Sequence, residues 1–133
     1  MKLTLASENS IMILYFLAKE KRRISISEFA VKLQAPANHL HKLIQLLAKK
    51  GYVQSYAGKV GGVELVANPS KVTVLEIIEH FEGPISFCNC LLRKENCTLL
   101  NSCSLKKELA DASDFLRKRL AKKTIKSLVL SKE

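Results

Sequence analysis

Apolar residues at Ile11, Leu14, Tyr15, Leu17 and Ala18 follow the three-and-four spacing that lays one stripe along a helix, and they predict a first helix over 7–19. The run Lys19-Glu20-Lys21-Arg22-Arg23 carries no apolar residue and reads as a solvated connector. Ser25, with Glu28 three places on, makes a capping box for a short second helix holding Phe29, Ala30 and Leu33. Gln34-Ala35-Pro36 breaks the pattern, and Pro36 suits the first turn of a third helix, where its missing N–H has no intrahelical partner to lose. On that helix Leu40, Leu43, Ile44 and Leu47 fall on one face, and Gly51 stands where a left-handed C-terminal residue is wanted.

The third helix leaves Asn38, His39, His41, Lys42, Gln45 and Lys49 on its other sides, side chains able to bond bases and phosphates. Two helices joined by a short turn, the second polar in this way, form the helix-turn-helix pattern; an ordinary helical hairpin with a wet face reads equally well at this point. The following residues decide between them. Tyr52–Tyr56 and Val63–Val66 each suit a short strand, and Ala57-Gly58-Lys59-Val60-Gly61-Gly62 supplies the glycines of a tight hairpin. Three helices and a small β-hairpin make a winged helix, so the expected fold class is mainly α with one hairpin. Lys59 at the tip can reach phosphate or enter the minor groove, and glycines such as Gly61 let backbone approach DNA closely. No lysine-plus-hydroxyl pair follows them, which argues against a nucleotide-binding loop.

Beyond the hairpin, Thr73 can cap a helix carrying Val74, Ile77, Ile78 and Phe81, which Gly83-Pro84 ends. Leu105, Leu109, Ala112, Leu116 and Leu120 then stripe a long helix whose other faces are charged. The stripe exceeds what a small domain needs and is read as a dimerisation helix, the alternative being that it closes the monomer core. The organisation expected is a winged helix-turn-helix domain over 1–82, a cysteine-rich loop over 83–104, and a dimerisation helix with a tail over 105–133.

Charge narrows the choice of partner. With 22 Lys and Arg against 12 Asp and Glu, the 133 residues carry +10, which suits a polyanion. Double-stranded DNA leads, and an anionic membrane surface is the rival. No apolar run reaches the length of a membrane span, and the start reads as unexported, so a soluble cytoplasmic protein with no membrane partner is expected.

All four cysteines, Cys88, Cys90, Cys97 and Cys103, lie within sixteen residues. Such clustering in an unexported chain points to metal or redox chemistry rather than structural disulfides. The gaps of one, six and five residues lack the short knuckle of common zinc sites, so zinc is the lesser reading. Thiolates suit iron–sulfur clusters, and Arg93, Lys94, Lys106 and Lys107 would favour the deprotonated ligands. A thiol redox enzyme built on Cys88-Asn89-Cys90 lacks the paired acid and base such chemistry needs; neither an enzyme nor a small-molecule substrate is expected.

Met1-Lys2-Leu3-Thr4, the stretch Asn38-His39-Leu40-His41-Lys42, the wing Gly58-Lys59-Val60-Gly61-Gly62, Val74-Leu75-Glu76-Ile77-Ile78, and the cysteine loop followed by Ser104–Leu109 together resemble the Rrf2 family of bacterial transcription regulators. The resemblance runs in order along nearly the whole chain. Its members include iron–sulfur, nitric-oxide and iron sensors, and it implies a homodimer that binds promoter DNA through paired winged helices. It also implies an iron–sulfur cluster, [4Fe–4S] ahead of [2Fe–2S], with Cys90, Cys97 and Cys103 matching the ligand pattern. The fourth ligand varies between branches. In the NsrR-like branch it is an acidic residue near the start of helix one of the other subunit, and the matching position is Glu8. IscR-like members use a His shortly after the third cysteine, where this chain has Leu105, Lys106 and Lys107.

The resemblance further implies Asn38, His39, His41 and Lys42 in the major groove, with Lys59 and Gly61 at the wing. Asn can read adenine, and either His can instead bond phosphate. Two features depart from the family pattern. Ala57 stands where the wing usually carries Arg, which shifts weight to Lys59. Cys88 is additional, and is read as a spare thiol ahead of an alternative ligand or a partner for Cys90. A cluster spanning Glu8 of one subunit and three cysteines of the other would fix the spacing of two DNA-binding heads, and its loss to nitric oxide, oxygen or iron shortage would release them.

Overall fold

The computed structural model describes residues 2–87 and 102–131. Cys88, Cys90 and Cys97 lie outside the described residues. The elements are α1 (Leu5–Glu20), α2 (Ile26–Leu33), α3 (Ala37–Lys49), β1 (Val53–Tyr56), β2 (Gly62–Leu65), α4 (Val74–Glu82), α5 (Ser104–Ala121) and α6 (Ile125–Leu130). The expected class is found: helices with one antiparallel hairpin, Val53 opposite Leu65 and Tyr56 opposite Gly62.

Local chemistry sets the helix limits. Thr4 caps α1 by accepting the Ser7 N–H at 3.2 Å, and the helix begins two residues earlier than its apolar stripe indicates. Ser25 caps α2 by accepting the Glu28 N–H at 3.1 Å. Glu28 does not complete a capping box; its carboxylate turns to Arg22 at 2.6 Å, where it gains a charged partner. Pro36 is the N-cap of α3 rather than its first helical residue, with φ −62° and its carbonyl accepting the Leu40 N–H at 3.2 Å. Thr73 and Glu76 form a full capping box on α4. Gly51 takes the left-handed φ of 84° just after α3.

Ile13, Leu14 and Leu17 of α1, Phe29 of α2, Leu40, Leu43, Ile44 and Leu47 of α3, and Val53 and Val63 of the hairpin share one core. Burying each such side chain contributes roughly 1.5–3 kcal/mol, which fixes α2, α3 and the hairpin against α1. The stretch before α2 is more than a solvated connector. Ile24 is fully buried and exchanges backbone hydrogen bonds with Val63 at 3.0 and 2.8 Å, adding a one-residue third strand to the hairpin.

The C-terminal segment also differs from the expected tail. Thr124 caps α6, Ile125 is buried in the shared core, and Leu128 packs against it. The Val74 N–H donates to Lys123 and the Ile125 N–H to Val72, at 2.8 and 2.9 Å, so α6 is tied to the connector between wing and α4. The chain thus returns after α5 to finish the core shared by α1–α3 and the hairpin.

Candidate nucleic-acid interface and cysteine loop

The apolar side of α3 faces the core, and what remains outward is set by helical spacing. Asn38, Lys42, Gln45 and Lys49 recur at four, three and four residues and are all exposed, with His41 beside them. His39 lies toward the core edge; it is half-buried, and its Nε2 is enclosed with no hydrogen-bond partner among the described residues. Gln45 and Lys49 thus join the exposed face. Their spacing from Asn38 and Lys42 carries that signal in the sequence. No side chain caps the N-terminus of α3 and no acid sits in its first turn, an arrangement that leaves the positive helix end available to phosphate.

The wing turn presents Lys59 and Val60, the latter 88% exposed. Gly61 has a structural task there. A Cβ on it would collide with the carbonyl oxygen of Tyr56 and with backbone atoms of Ala57 and Gly58, and its N–H donates to the Gly58 carbonyl at 3.0 Å. The residue is needed to close the turn that presents Lys59. Beside the wing turn, Arg23 stacks on Tyr56 with its guanidinium carbon 3.6 Å from the ring centroid. Local patterning gave no sign of this pairing, because the two residues meet only through the Ile24–Val63 bridge.

Of the sulfur donors, the structure describes Cys103. It is half-buried and is the N-cap of α5, with its Sγ accepting the Lys106 N–H at 3.4 Å. A sulfur acting as acceptor at the positive end of a helix is placed for the electron-donating role of a metal ligand. Glu8 lies in the first turn of α1, exposed, and its carboxylate has no partner among the described residues. Both donors therefore suit a metal–sulfur group chemically. Among the described residues, however, no group of three or more His, Cys, Asp or Glu side chains is placed to hold a metal.

The segment that leads into Glu8 has defined neighbours. The Thr4 N–H donates to Glu82 at the end of α4, and Lys2 and Leu3 share a groove of about 510 Å³ with Ile78, Phe87, Leu116 and Leu120. Leu116 is 13 residues along α5 from Cys103, which is about 20 Å at the helical rise. The start of α1 thus sits beside the far half of α5 rather than beside Cys103.

The same groove divides the stripe expected on α5. Leu109, Leu116 and Leu120 are half-buried, while Leu105, Ala112 and Phe115 are exposed, Leu105 by 64% and Phe115 by 68%. Phe115 was absent from the stripe predicted by spacing and falls on the open side.

Residues 3–131 match the Rrf2 family, described as an iron-dependent transcriptional regulator. The chain belongs to that family. Rrf2 proteins of this kind are transcriptional regulators and not enzymes. Among relatives, the HTH-type transcriptional regulator NsrR of Bacillus subtilis is 32% identical, the match covering all of this chain and 93% of the relative. The NsrR of Bacillus licheniformis is 30% identical, covering all of this chain and 95% of the relative. In structure, the Rrf2 chain is similar to CymR, the global cysteine regulator of B. subtilis, with TM-score 0.80 and 25% identity over 100% of this chain and 99% of that one. IscR of T. potens shares the fold, with TM-score 0.75 and 20% identity over 98% of this chain and 87% of that one. No described helix is long and apolar enough to cross a membrane.

Proposed function

We propose that this Rrf2 regulator is a homodimeric, cytoplasmic, promoter-binding repressor of the NsrR kind, its DNA affinity set by an iron–sulfur cluster. The observation that carries the DNA contact is the exposed face of α3, where Asn38, His41 and Lys42 stand outward beside a wing bearing Lys59. Asn38 would read a base edge in the major groove, Lys42 and His41 would hold phosphate or base, and Lys59 would enter the minor groove or bond its phosphates. His39, turned toward the core, keeps only its outer ring edge for DNA. Gly61 serves this contact by closing the turn and letting backbone come near the duplex.

Cys90, Cys97 and Cys103 would hold the cluster, completed by Glu8 of a second subunit. The start of α1 lining a groove with the far half of α5 supports ligation across the dimer, and the exposed side of α5 supplies a face for that second subunit. When bound, the cluster would supply a link that nitric oxide, oxygen or iron shortage can cut. The protein's own part is geometric. Two α3 helices must sit roughly 34 Å apart to enter successive major grooves, and a link from α1 of one subunit to α5 of the other would hold that spacing.

The test is anaerobic purification with visible absorption and iron and sulfide counts, followed by gel shifts on promoter fragments before and after nitric oxide. A coloured dimer that releases a palindromic fragment when bleached is the expected result. Glu8→Ala and Cys97→Ala dimers binding as tightly as reconstituted wild type would sink the switch. Colourless protein after reconstitution would remove the cluster and leave a winged-helix regulator.

A further inference from the structure

The three cations that follow α1 have different tasks. Lys21 turns the chain, in the left-handed conformation with φ 52°. Arg22 Nη2 reaches Glu20 at 2.7 Å and Glu28 at 2.6 Å, joining α1 to α2. Arg23 points to the wing. Because Ile24 is bridged to Val63 of β2, Arg23 leaves the chain beside the hairpin, stacks on Tyr56, and sets its Nε 3.8 Å from Glu64 Oε2.

Tyr56 ends β1, and the turn that presents Lys59 begins at the next residue. Residues two apart share a strand face, and Gln54 pairs with Glu64, so Tyr56 and Glu64 lie on the side opposite buried Val53 and Val63. Arg23 lies across that outward side with 42% of its side chain exposed. Between Ala57 and Gly61 the wing has a single cation, Lys59.

We propose that Arg23 is a DNA-contacting residue of the wing, presenting to the phosphate backbone a guanidinium held in place by Tyr56; the inference rests on α3 and the wing being the DNA interface. A long arginine side chain loses rotamer freedom when it binds, and stacking on an aromatic face restricts it beforehand. The planar fork still offers N–H donors at its edge, in the arrangement that suits phosphate oxygens. Glu64 is a loose, exposed partner, readily exchanged for a phosphate.

The experiment is fluorescence anisotropy with the full-length protein and its promoter duplex over a salt series, with thermal unfolding of each variant alongside. Arg23→Ala is expected to bind about tenfold more weakly, with a salt slope shallower by about one. Arg23→Lys keeps the charge and so the slope, but binds more weakly because an ammonium lacks the planar stack. Glu64→Gln binds more tightly than wild type. Arg23→Ala with wild-type affinity and slope, beside a weakened Lys59→Ala, overturns the inference and leaves the interface standing. Loss of affinity with an unchanged slope and a lowered melting temperature also overturns it, since that is a structural role. If Asn38→Ala, Lys59→Ala and Arg23→Ala all bind as wild type, the interface itself is misplaced.

Discussion

The Tyr52 hydroxyl donates to the Glu76 carboxylate at 3.0 Å and so ties the root of the wing to the first turn of α4. The same carboxylate accepts the Thr73 N–H at 2.6 Å within the α4 capping box. Burial, then the hydrogen bond and charge of Glu76, push the Tyr52 phenol up to about 12 from its ordinary 10. A raised phenol favours the neutral form in the folded state. Its contribution to stability is complete below pH 10 and is lost as pH climbs toward 12. Tyr52→Phe should unfold more easily than wild type at neutral pH by roughly 0.5–1.5 kcal/mol, and the gap should narrow across that alkaline window. Denaturant melts at a series of pH values check this; a gap constant from pH 9 to 12 would contradict it.

Gly61→Ala should damage the wing with little effect on the rest of the fold. The added Cβ meets backbone of Tyr56, Ala57 and Gly58, none of which can swing away as a flexible side chain could. The turn must open, and Lys59 and Val60 lose their fixed presentation. Promoter affinity should fall about tenfold or more while the far-ultraviolet circular dichroism stays near wild type. An unaltered gel shift would show that the wing plays no part in DNA contact.

The winged-helix half was legible in the sequence because its signals are local. Leu40, Leu43, Ile44 and Leu47 mark the buried side of α3 by spacing alone, and Thr73 and Gly83 bound α4 by cap chemistry. Contacts made across the chain were not legible. Ile24 reads as the first apolar residue after a charged run, yet it is a strand partner of Val63; Arg23 meets Tyr56 only because of that pairing. α6 was hidden for another reason. With six residues and Ile125, Leu128, Val129 and Leu130 set between lysines and serines, it is too short to show a period. The candidate ligands were chosen by family resemblance, since the cysteine gaps match no common local knuckle, and Cys90 and Cys97 lie outside the described residues.

The place of α6 in the core has a measurable consequence. Ile125 is 1% exposed and packs in the same cluster as Ile13 and Leu17. Ile125→Ala should destabilise the protein by roughly 2–5 kcal/mol, the range for removing a buried aliphatic side chain. Urea unfolding followed by circular dichroism reads this directly. A loss under about 0.5 kcal/mol, the level of an ordinary surface change, would mean that the segment is a solvated tail.

Acid stability should depend on the contact between the start of α1 and the end of α4. Glu82 is held below the usual carboxylate range, chiefly by the Thr4 backbone N–H and also by the hydroxyls of Thr4 and Ser7. A depressed carboxylate adds stability that is present above its unfolded value of 4.5 and is lost as pH falls through the folded one. Glu82→Gln should therefore be less stable than wild type at neutral pH, with a flatter acid limb below pH 4.5, so that the two proteins converge as pH falls. If wild type and variant lose stability in parallel under acid, the contact does not form in solution.

The split stripe of α5 decides which residues a second subunit would meet. Leu116 and Leu120 are half-buried and line a groove with Leu3 and Ile78, so they offer a second subunit less surface than the open side of α5 does. Leu105, Ala112 and Phe115 remain open, and Phe115 has the largest apolar surface of the three. Burying an aromatic side chain of this kind contributes roughly 1.5–3 kcal/mol, and in a twofold seam the contribution occurs twice. Phe115→Asp would place a charge there instead. If the proposed dimer forms through this face, the variant should sediment as a folded monomer at concentrations where wild type sediments as a dimer, and it should lose a palindromic promoter fragment far more than a single half-site. Leu116→Ala should act in the opposite sense, lowering the melting temperature while leaving the dimer largely intact. A Phe115→Asp protein that remains dimeric would move the seam off the open side of α5.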